Sequence, residues 1–186
     1  MNTPAHLLIG GALAGRDRRL AGWGLLGGAL PDLSLYLLIA QAMAQGISER
    51  VIFREMYHSD TWQAIFAVDN SAVLWASFLA LALWRGWRGG AALCFGALAH
   101  IALDLPLHAG DGRAHFWPLS DWVFDSSVSY WDRAHYAAIA APLEAVCATV
   151  AAIFLWRAGG WLRPTAAVLL LAEVWTVRQW LFVFGQ

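Results

Sequence analysis

The sequence has little charge, since only 13% of its 186 residues are Asp, Glu, Lys or Arg. A soluble domain carries roughly twice that fraction, so the composition argues against a soluble globular protein. Apolar residues make up 60% of the chain, and 12 residues are tryptophan, which collects at membrane–water interfaces. We therefore expect an all-α protein, a polytopic helical bundle in a membrane.

The chain also has only two cysteines and no net positive charge. The formal net charge of −1 leaves no basic excess of the kind that nucleic-acid binding requires, so we expect no nucleic-acid partner. Cys94 and Cys147 both lie within apolar runs. We expect them to be small buried hydrophobic residues, without a disulfide or a thiolate site. The N-terminal residues lack the basic stretch of a cleavable signal peptide, and we expect none.

Apolar runs predict one short helix and four or five longer ones, each near the roughly 20 residues that span a bilayer. The short helix is expected at 5–15, and the longer ones at 20–44, 61–84, 91–105, 134–156 and 164–184. Pro31 is expected to divide the 20–44 run into two half-helices. A polar interfacial segment follows at 47–60, and the long polar connection is 110–131. No internal repeat is evident, so 1–186 is treated as a single domain.

Basic residues indicate how the predicted helices are oriented. They concentrate in three short loops, at 16–19, 85–88 and 157–163. Alternation of the apolar runs across the bilayer puts all three loops on one side, which the positive-inside rule makes cytoplasmic. The long polar loop, and any site that it covers, then faces the opposite side.

Ionisable residues on different predicted helices share one depth. Five of them lie ten to thirteen residues inward of the nearest basic loop, roughly 15–20 Å along a helix: His6, Asp32, His100, Glu144 and Glu173. Asp104 lies one turn beyond His100. Such groups are costly in hydrocarbon and normally line a cavity, pair with one another or bind a ligand. Interhelical hydrogen bonds that hold the bundle together are the alternative explanation.

The composition of this set suits a metal ion, because Zn²⁺ accepts imidazole nitrogen and carboxylate oxygen. His100 and Asp104 are four residues apart and share one helix face, so both can reach one ion or two adjacent ions. Pro106 disfavours continuation of the helix. His108 is therefore either a ligand at a second site or an interfacial polar residue.

Several short pieces, taken in order, resemble a known family. They are TPAH at 3–6, GALPD at 28–32, YHS at 57–59, HIALD at 100–104, GDG at 110–112 and FWPLSD at 116–121. Together they resemble the bacterial inner-membrane metal-dependent hydrolases described as LexA-regulated or LexA-binding, which are similar in motif order to zinc-dependent phospholipase C. The resemblance implies a bacterial inner-membrane location. It implies one metal ion held by Asp32, His58, His100 and Asp104, and a second held by His6 with Asp104 bridging.

These inferences predict a membrane-bound hydrolase in which one or two Zn²⁺ ions, or another divalent metal, activate water. The expected substrate is a phosphoester of a lipid or a lipid-linked molecule, because the site lies within reach of lipid head groups, with the site facing the periplasm. The predicted metal ligands are His6, Asp32, His58, His100, Asp104 and His108, and the predicted acid–base residues are Asp60, His135 and Glu144. A non-catalytic transporter or a proton or metal relay is the alternative, and a purely structural bundle is a third possibility. No role is assigned to His115, Asp121, Asp132 or Glu173.

Overall fold

The computed structural model describes residues 1–182, which form helices joined by turns and one long loop. The helices are α1 (Thr3–Leu13), α2 (Arg18–Ala29), α3 (Leu33–Ala44), α4 (Glu49–Val51), α5 (Asp60–Asp69), α6 (Ala72–Trp84), α7 (Arg88–Asp104), α8 (Ala137–Ala158) and α9 (Leu162–Phe182). Short helical turns lie at Leu30–Asp32, Ile52–Met56, Leu105–Leu107 and Arg133–His135. The predicted all-helical bundle is confirmed.

Four helical segments within residues 1–182 are long and apolar enough to cross a membrane, namely Arg18–Ala44, Asp60–Trp84, Arg88–Leu107 and Ala137–Ala158. They confirm the expectation of a helical membrane protein. The fifth predicted run forms α9, which carries Arg163, Glu173 and Arg178 and is not one of these four. Residues 183–184 of that run lie outside the described residues.

Two of the spanning segments contain a break. The turn Leu30–Asp32 separates α2 from α3, which confirms the two half-helices predicted from Pro31. The second break was not expected and lies between α5 and α6. It arises because the Ser71 hydroxyl caps α6, accepting a hydrogen bond from the Leu74 amide at 3.0 Å.

The three basic loops lie together at one end of the bundle. The Trp23 ring packs edge-on against Trp87, with 6.1 Å between ring centroids. The Arg16 guanidinium lies 5.5 Å above the ring centroid of Phe154, near the C-terminal end of α8. These contacts place the loops at the same end of the bundle, and the cytoplasmic side predicted for them stays a prediction.

Glycines allow α1, α2 and α7 to pack backbone against backbone. A Cβ atom added at Gly28 would lie 2.3 Å from the His6 carbonyl oxygen, and one added at Gly24 would lie 2.3 Å from that of Gly10. A Cβ at Gly96 would lie 2.5 Å from the Gly24 carbonyl oxygen. Small residues permit this close approach in membrane helices. The packing brings His6 close to the ends of α2 and α7.

The two cysteines differ in their surroundings. Both are free, and Cys94 is buried on α7 as expected. Cys147 is exposed on α8, so the expectation of burial is wrong for this residue. The reason is that α8 turns a face of large apolar side chains outward, including Leu143, Val146 and Val150.

Candidate metal centre

Four predicted metal ligands come together from three parts of the chain. Helix α1 supplies His6, the turn after α2 supplies Asp32, and α7 supplies His100 and Asp104. All four are buried, with His6 and His100 only 1% exposed. The two imidazole rings stack with 3.6 Å between centroids and an interplanar angle of 15°. The depth that these residues share in the sequence thus corresponds to contact in the fold.

Asp104 is the residue on which the cluster converges. Its Oδ1 lies 2.9 Å from His6 Nε2 and also contacts the Met1 nitrogen. Its Oδ2 lies 3.3 Å from His100 Nε2 and 3.2 Å from His108 Nε2. One ligand atom from each of His6, His100 and Asp104 lies within 4.8 Å of the other two. This group could hold a metal ion.

The orientation of His100 leaves one ring nitrogen free for a ligand. Its Nδ1 lies 2.8 Å from the Gly28 carbonyl oxygen, which only accepts, so Nδ1–H is the donor. Nε2 is buried without a hydrogen bond and lies 3.3 Å from Asp104 and 3.7 Å from Asp32. In the neutral ring, this nitrogen presents a lone pair towards carboxylate oxygens. A cation among these atoms would relieve the conflict, and a carbonyl on the distal nitrogen is the usual support of a metal-binding imidazole.

Asp32 is held in place by residues from two helices. Its Oδ2 accepts a hydrogen bond from the Thr3 hydroxyl, and Thr3 Oγ1 lies 2.7 Å from the Tyr36 hydroxyl. The other carboxylate oxygen is the one that approaches His100. The sequence suggested no separate role for Thr3 or Tyr36, because a hydroxyl that orients a ligand has no spacing signature of its own.

His108 reaches the cluster although α7 ends before it. Helix α7 stops at Asp104, the turn Leu105–Leu107 follows, and His108 is extended. Its Nε2 still lies 3.2 Å from Asp104, while its Nδ1 lies 3.1 Å from Asp111. Burial disfavours the charged imidazole, but these two carboxylates outweigh it and raise the pKa of His108 above its ordinary value. The sequence did not single out Asp111.

His58 is not among the residues that the structure brings to this centre. It is exposed, and its ring lies edge-on to Tyr57 with 5.0 Å between centroids. The residue that turns inward is Tyr57, whose hydroxyl accepts a hydrogen bond from Arg113. The geometry therefore gives no support to the ligand role that the family resemblance implied for His58.

Asp60 and His135 also lie at the surface. Asp60 is the exposed first residue of α5, directly after the Ser59 cap. His135 is exposed and its Nδ1 lies 2.7 Å from Asp132 Oδ2. The bond to His135 and the bond from the Ala134 amide lower the pKa of Asp132. His135 thus closes a surface turn, and the geometry supports neither residue as an acid–base group at the centre.

Glu144 is the predicted acid–base residue that the structure buries beside the cluster. It accepts a hydrogen bond from the Asn2 amide, one residue from the Met1 nitrogen that contacts Asp104. Asn2 also joins it to Glu173, which is fully buried and whose Oε1 lies 3.4 Å from the Asn2 side-chain nitrogen. The sequence left Glu173 without a role, and the structure links it to Glu144 through Asn2.

His115 is a buried histidine at the edge of the site. Its Nδ1 lies 3.1 Å from the Asn70 carbonyl oxygen, and burial lowers the pKa of His115. The folded protein therefore favours the neutral imidazole. His115 fixes the long loop to the break between α5 and α6, where the Ala72 amide donates to the His115 carbonyl at 2.8 Å.

Acidification is expected to destabilise the fold through His115. Its pKa is lower when folded than when unfolded, so the unfolded chain binds more protons, and the stabilisation is lost as pH falls below about 6.5. We expect His115→Gln to lose less stability than the wild type between about pH 7 and pH 5. Thermal unfolding of both proteins in detergent across this range measures the difference. Equal pH dependence in the two proteins would contradict the prediction.

Comparisons with known proteins find no matching protein family, no matching curated protein and no matching solved structure. The class of protein therefore follows from the fold and the site. The chain is a helical membrane protein with a buried His6–His100–Asp104 group that could hold a metal ion.

Proposed function

We propose that the protein is a metal-dependent hydrolase of the bacterial inner membrane that cleaves a phosphoester of a lipid or lipid-linked substrate. The observation that carries the proposal is His100, whose buried Nε2 has no hydrogen bond and faces two carboxylates. The family resemblance of the sequence pieces at 3–121 supports the same class of enzyme.

The donor set fits a zinc ion. His6, His100 and Asp104 would hold it, with Asp32 beside His100 as a further carboxylate. When bound, zinc supplies Lewis acidity and makes water an effective nucleophile near neutral pH. Gly28 would keep the His100 ring oriented, and His108 would hold Asp104 through its other oxygen.

Glu144 is the acid–base residue that we assign to the reaction. It is buried, it borders the groove described next, and its second carboxyl oxygen has no hydrogen bond in the described structure. A carboxyl group in this position can take a proton from water or return one to a leaving group. Asn2 links it to a second buried carboxyl group, that of Glu173.

An apolar groove beside the centre supports a lipid substrate. It has a volume of about 910 Å³ and lies between α1, α7 and α8, of which α7 and α8 belong to candidate membrane spans. Leu103 and Leu107 flank Asp104 and line the groove, and Glu144 lies in its wall. An acyl chain seated here would bring the head of the same lipid towards the cluster.

Filling this groove is expected to impair hydrolysis of a long-chain substrate. Val150 lines the groove and is 63% exposed, and Val168 on α9 is 64% exposed but does not line it. We expect Val150→Trp to reduce kcat/KM for a long-chain lipid by roughly tenfold or more relative to a short-chain analogue. Val168→Trp, the matched control, should leave that ratio unchanged. Equal ratios in both variants would show that the groove does not hold the chain.

Hydrolysis in a bilayer tests the proposed function. The purified chain is placed in nanodiscs of bacterial phospholipids in ¹⁸O-labelled water, and the products are followed by mass spectrometry. The proposal predicts a phosphorylated product that carries ¹⁸O, its loss with 1,10-phenanthroline, and recovery with Zn²⁺. Folded protein that holds zinc but forms no product from these lipids or from lipid-linked phosphoesters would contradict the proposal.

A proton or metal relay is the second candidate function. The observation that favours it is a row of buried polar contacts that runs from Asp104 through Met1 and Asn2. Asn2 contacts both Glu144 and Glu173, so the row reaches α9. This function predicts proton or Zn²⁺ flux across the membrane of proteoliposomes, and Glu173→Gln should abolish the flux. Hydrolysis without flux would support the enzyme.

A further inference from the structure

Arg113 is a buried cation with an unsatisfied nitrogen. It lies in the long loop and is only 6% exposed. Within the described residues no carboxylate forms an ion pair with it, and its Nη1 is buried without a hydrogen bond. Burial of an unpaired charge is costly, so such a group normally has a partner. Among the described residues, the Asp69 carboxylate interacts with Arg113 only at longer range and leaves Nη1 without a hydrogen bond.

Aromatic residues hold the guanidinium in place. Arg113 Cζ lies 4.2 Å from the ring centroid of Phe66 and 5.5 Å from that of Tyr57. Its Nη2 donates to the Tyr57 hydroxyl at 3.2 Å. Burial raises the pKa of Tyr57, so the phenol stays protonated and keeps an O–H that it can donate. These contacts fix the guanidinium group in place and leave its Nη1 without a hydrogen bond.

The position of Arg113 connects it to the candidate metal centre. It follows Asp111 by two residues, and Asp111 lies 3.1 Å from His108, which contacts Asp104. The carboxylates of Asp111, Asp104 and Asp32 also act at longer range on the Tyr57 hydroxyl that Arg113 contacts. The guanidinium therefore lies on the same side of the molecule as the carboxylates of the centre.

We propose that Arg113 binds a phosphate group of the substrate, with Nη1 and the Tyr57 hydroxyl donating to its oxygens. This inference rests on the proposed function, and it adds that the reacting group is an anionic phosphate. A planar guanidinium binds phosphate through two parallel hydrogen bonds. The several oxygens of a tetrahedral phosphate allow one to face Arg113 while another faces the cluster.

Phosphate binding to the full chain in nanodiscs tests this inference. Isothermal titration calorimetry with inorganic phosphate is run on protein loaded with Zn²⁺ and on protein treated with a chelator. We expect Arg113→Gln to weaken phosphate binding by about 10- to 100-fold in both states, as for a lost charge-assisted hydrogen bond. Arg50→Gln, which changes an exposed arginine, is the matched control and should bind phosphate as the wild type does.

The outcomes separate this inference from the proposed function. If folded Arg113→Gln bound phosphate with wild-type affinity, the role of Arg113 would be overturned. The role would also be overturned if the wild type bound no phosphate at millimolar concentration, with or without zinc. A chain that holds no zinc contradicts the proposed function, while the metal-free titrations still decide the role of Arg113. If Arg113→Gln fails to fold, Arg113→Lys takes its place, because it keeps the positive charge but lacks the planar guanidinium group. We expect Arg113→Lys to bind phosphate about tenfold more weakly, and unchanged affinity would overturn the inference.

The same titrations identify the source of the phosphate. Phosphate binding is repeated in nanodiscs of phosphatidylcholine with and without phosphatidic acid. Competition by phosphatidic acid that depends on Arg113 assigns the anion to a lipid head group. Arg113-dependent phosphate binding that phosphatidic acid does not reduce assigns it to a phosphoester outside the bilayer.

Discussion

Purified His100→Ala is expected to lose its bound metal and its hydrolytic activity together. His100 provides the buried Nε2 that faces Asp104 and Asp32, and no other imidazole occupies that position in the described structure. Loss of a group that merely supports a ligand costs 10- to 100-fold in metal affinity, so loss of the ligand itself should cost at least about 100-fold. Metal content by mass spectrometry and hydrolysis in nanodiscs measure both effects.

His135→Ala is the matched control for that experiment. His135 is another histidine of the chain, but it is exposed and bonded to Asp132. We expect this variant to keep its metal and its activity. A folded His100→Ala protein that retains metal with wild-type affinity would show that this histidine is not a ligand.

Gly28→Ala should disrupt both the helix packing and the centre. A Cβ atom at Gly28 would lie 2.3 Å from the His6 carbonyl oxygen and 2.8 Å from its carbonyl carbon. Both atoms are backbone, so α1 must move away, at a cost of about 1–3 kcal/mol for overpacking. The movement would shift His6 and break the bond between Gly28 and His100. We expect a lower Tm and weaker metal binding in the same variant.

Gly22→Ala controls for the change of residue type within the same helix. A Cβ atom there would lie 3.3 Å from the edge of the Trp161 ring, which can shift slightly. We expect a Tm and a metal affinity close to those of the wild type. Similar behaviour of the Gly28 and Gly22 variants would contradict the close packing of α1 on α2.

The sequence predicted the centre of the bundle well because helix geometry is regular. A fixed rise per residue allowed depth to be counted from the basic loops, and His6, Asp32 and His100 do meet. Pro31 likewise marked the break between α2 and α3, since proline restricts the backbone locally. These predictions needed no knowledge of which helices are neighbours.

The loops could not be predicted in the same way. Their conformation depends on tertiary contacts, such as the hydrogen bond of His115 to the Asn70 carbonyl oxygen and the approach of Asp111 to His108. Tyr57 rather than His58 turns inward because Tyr57 contacts Arg113 in the long loop. The spacing of residues along the sequence does not reveal such a contact. The same holds for the link through Asn2 between Glu144 and Glu173, which lie 29 positions apart on different helices.

X-ray absorption of the purified, zinc-loaded chain at the zinc edge tests the central claim most directly. The account predicts that each chain holds at least one zinc ion tightly. The spectrum should show nitrogen and oxygen ligands at about 2.0–2.1 Å and the scattering of two imidazole rings. His6→Ala and His100→Ala should each remove one imidazole from that signature. Folded protein that retains no zinc after dialysis, or zinc whose spectrum shows no imidazole, would contradict the account.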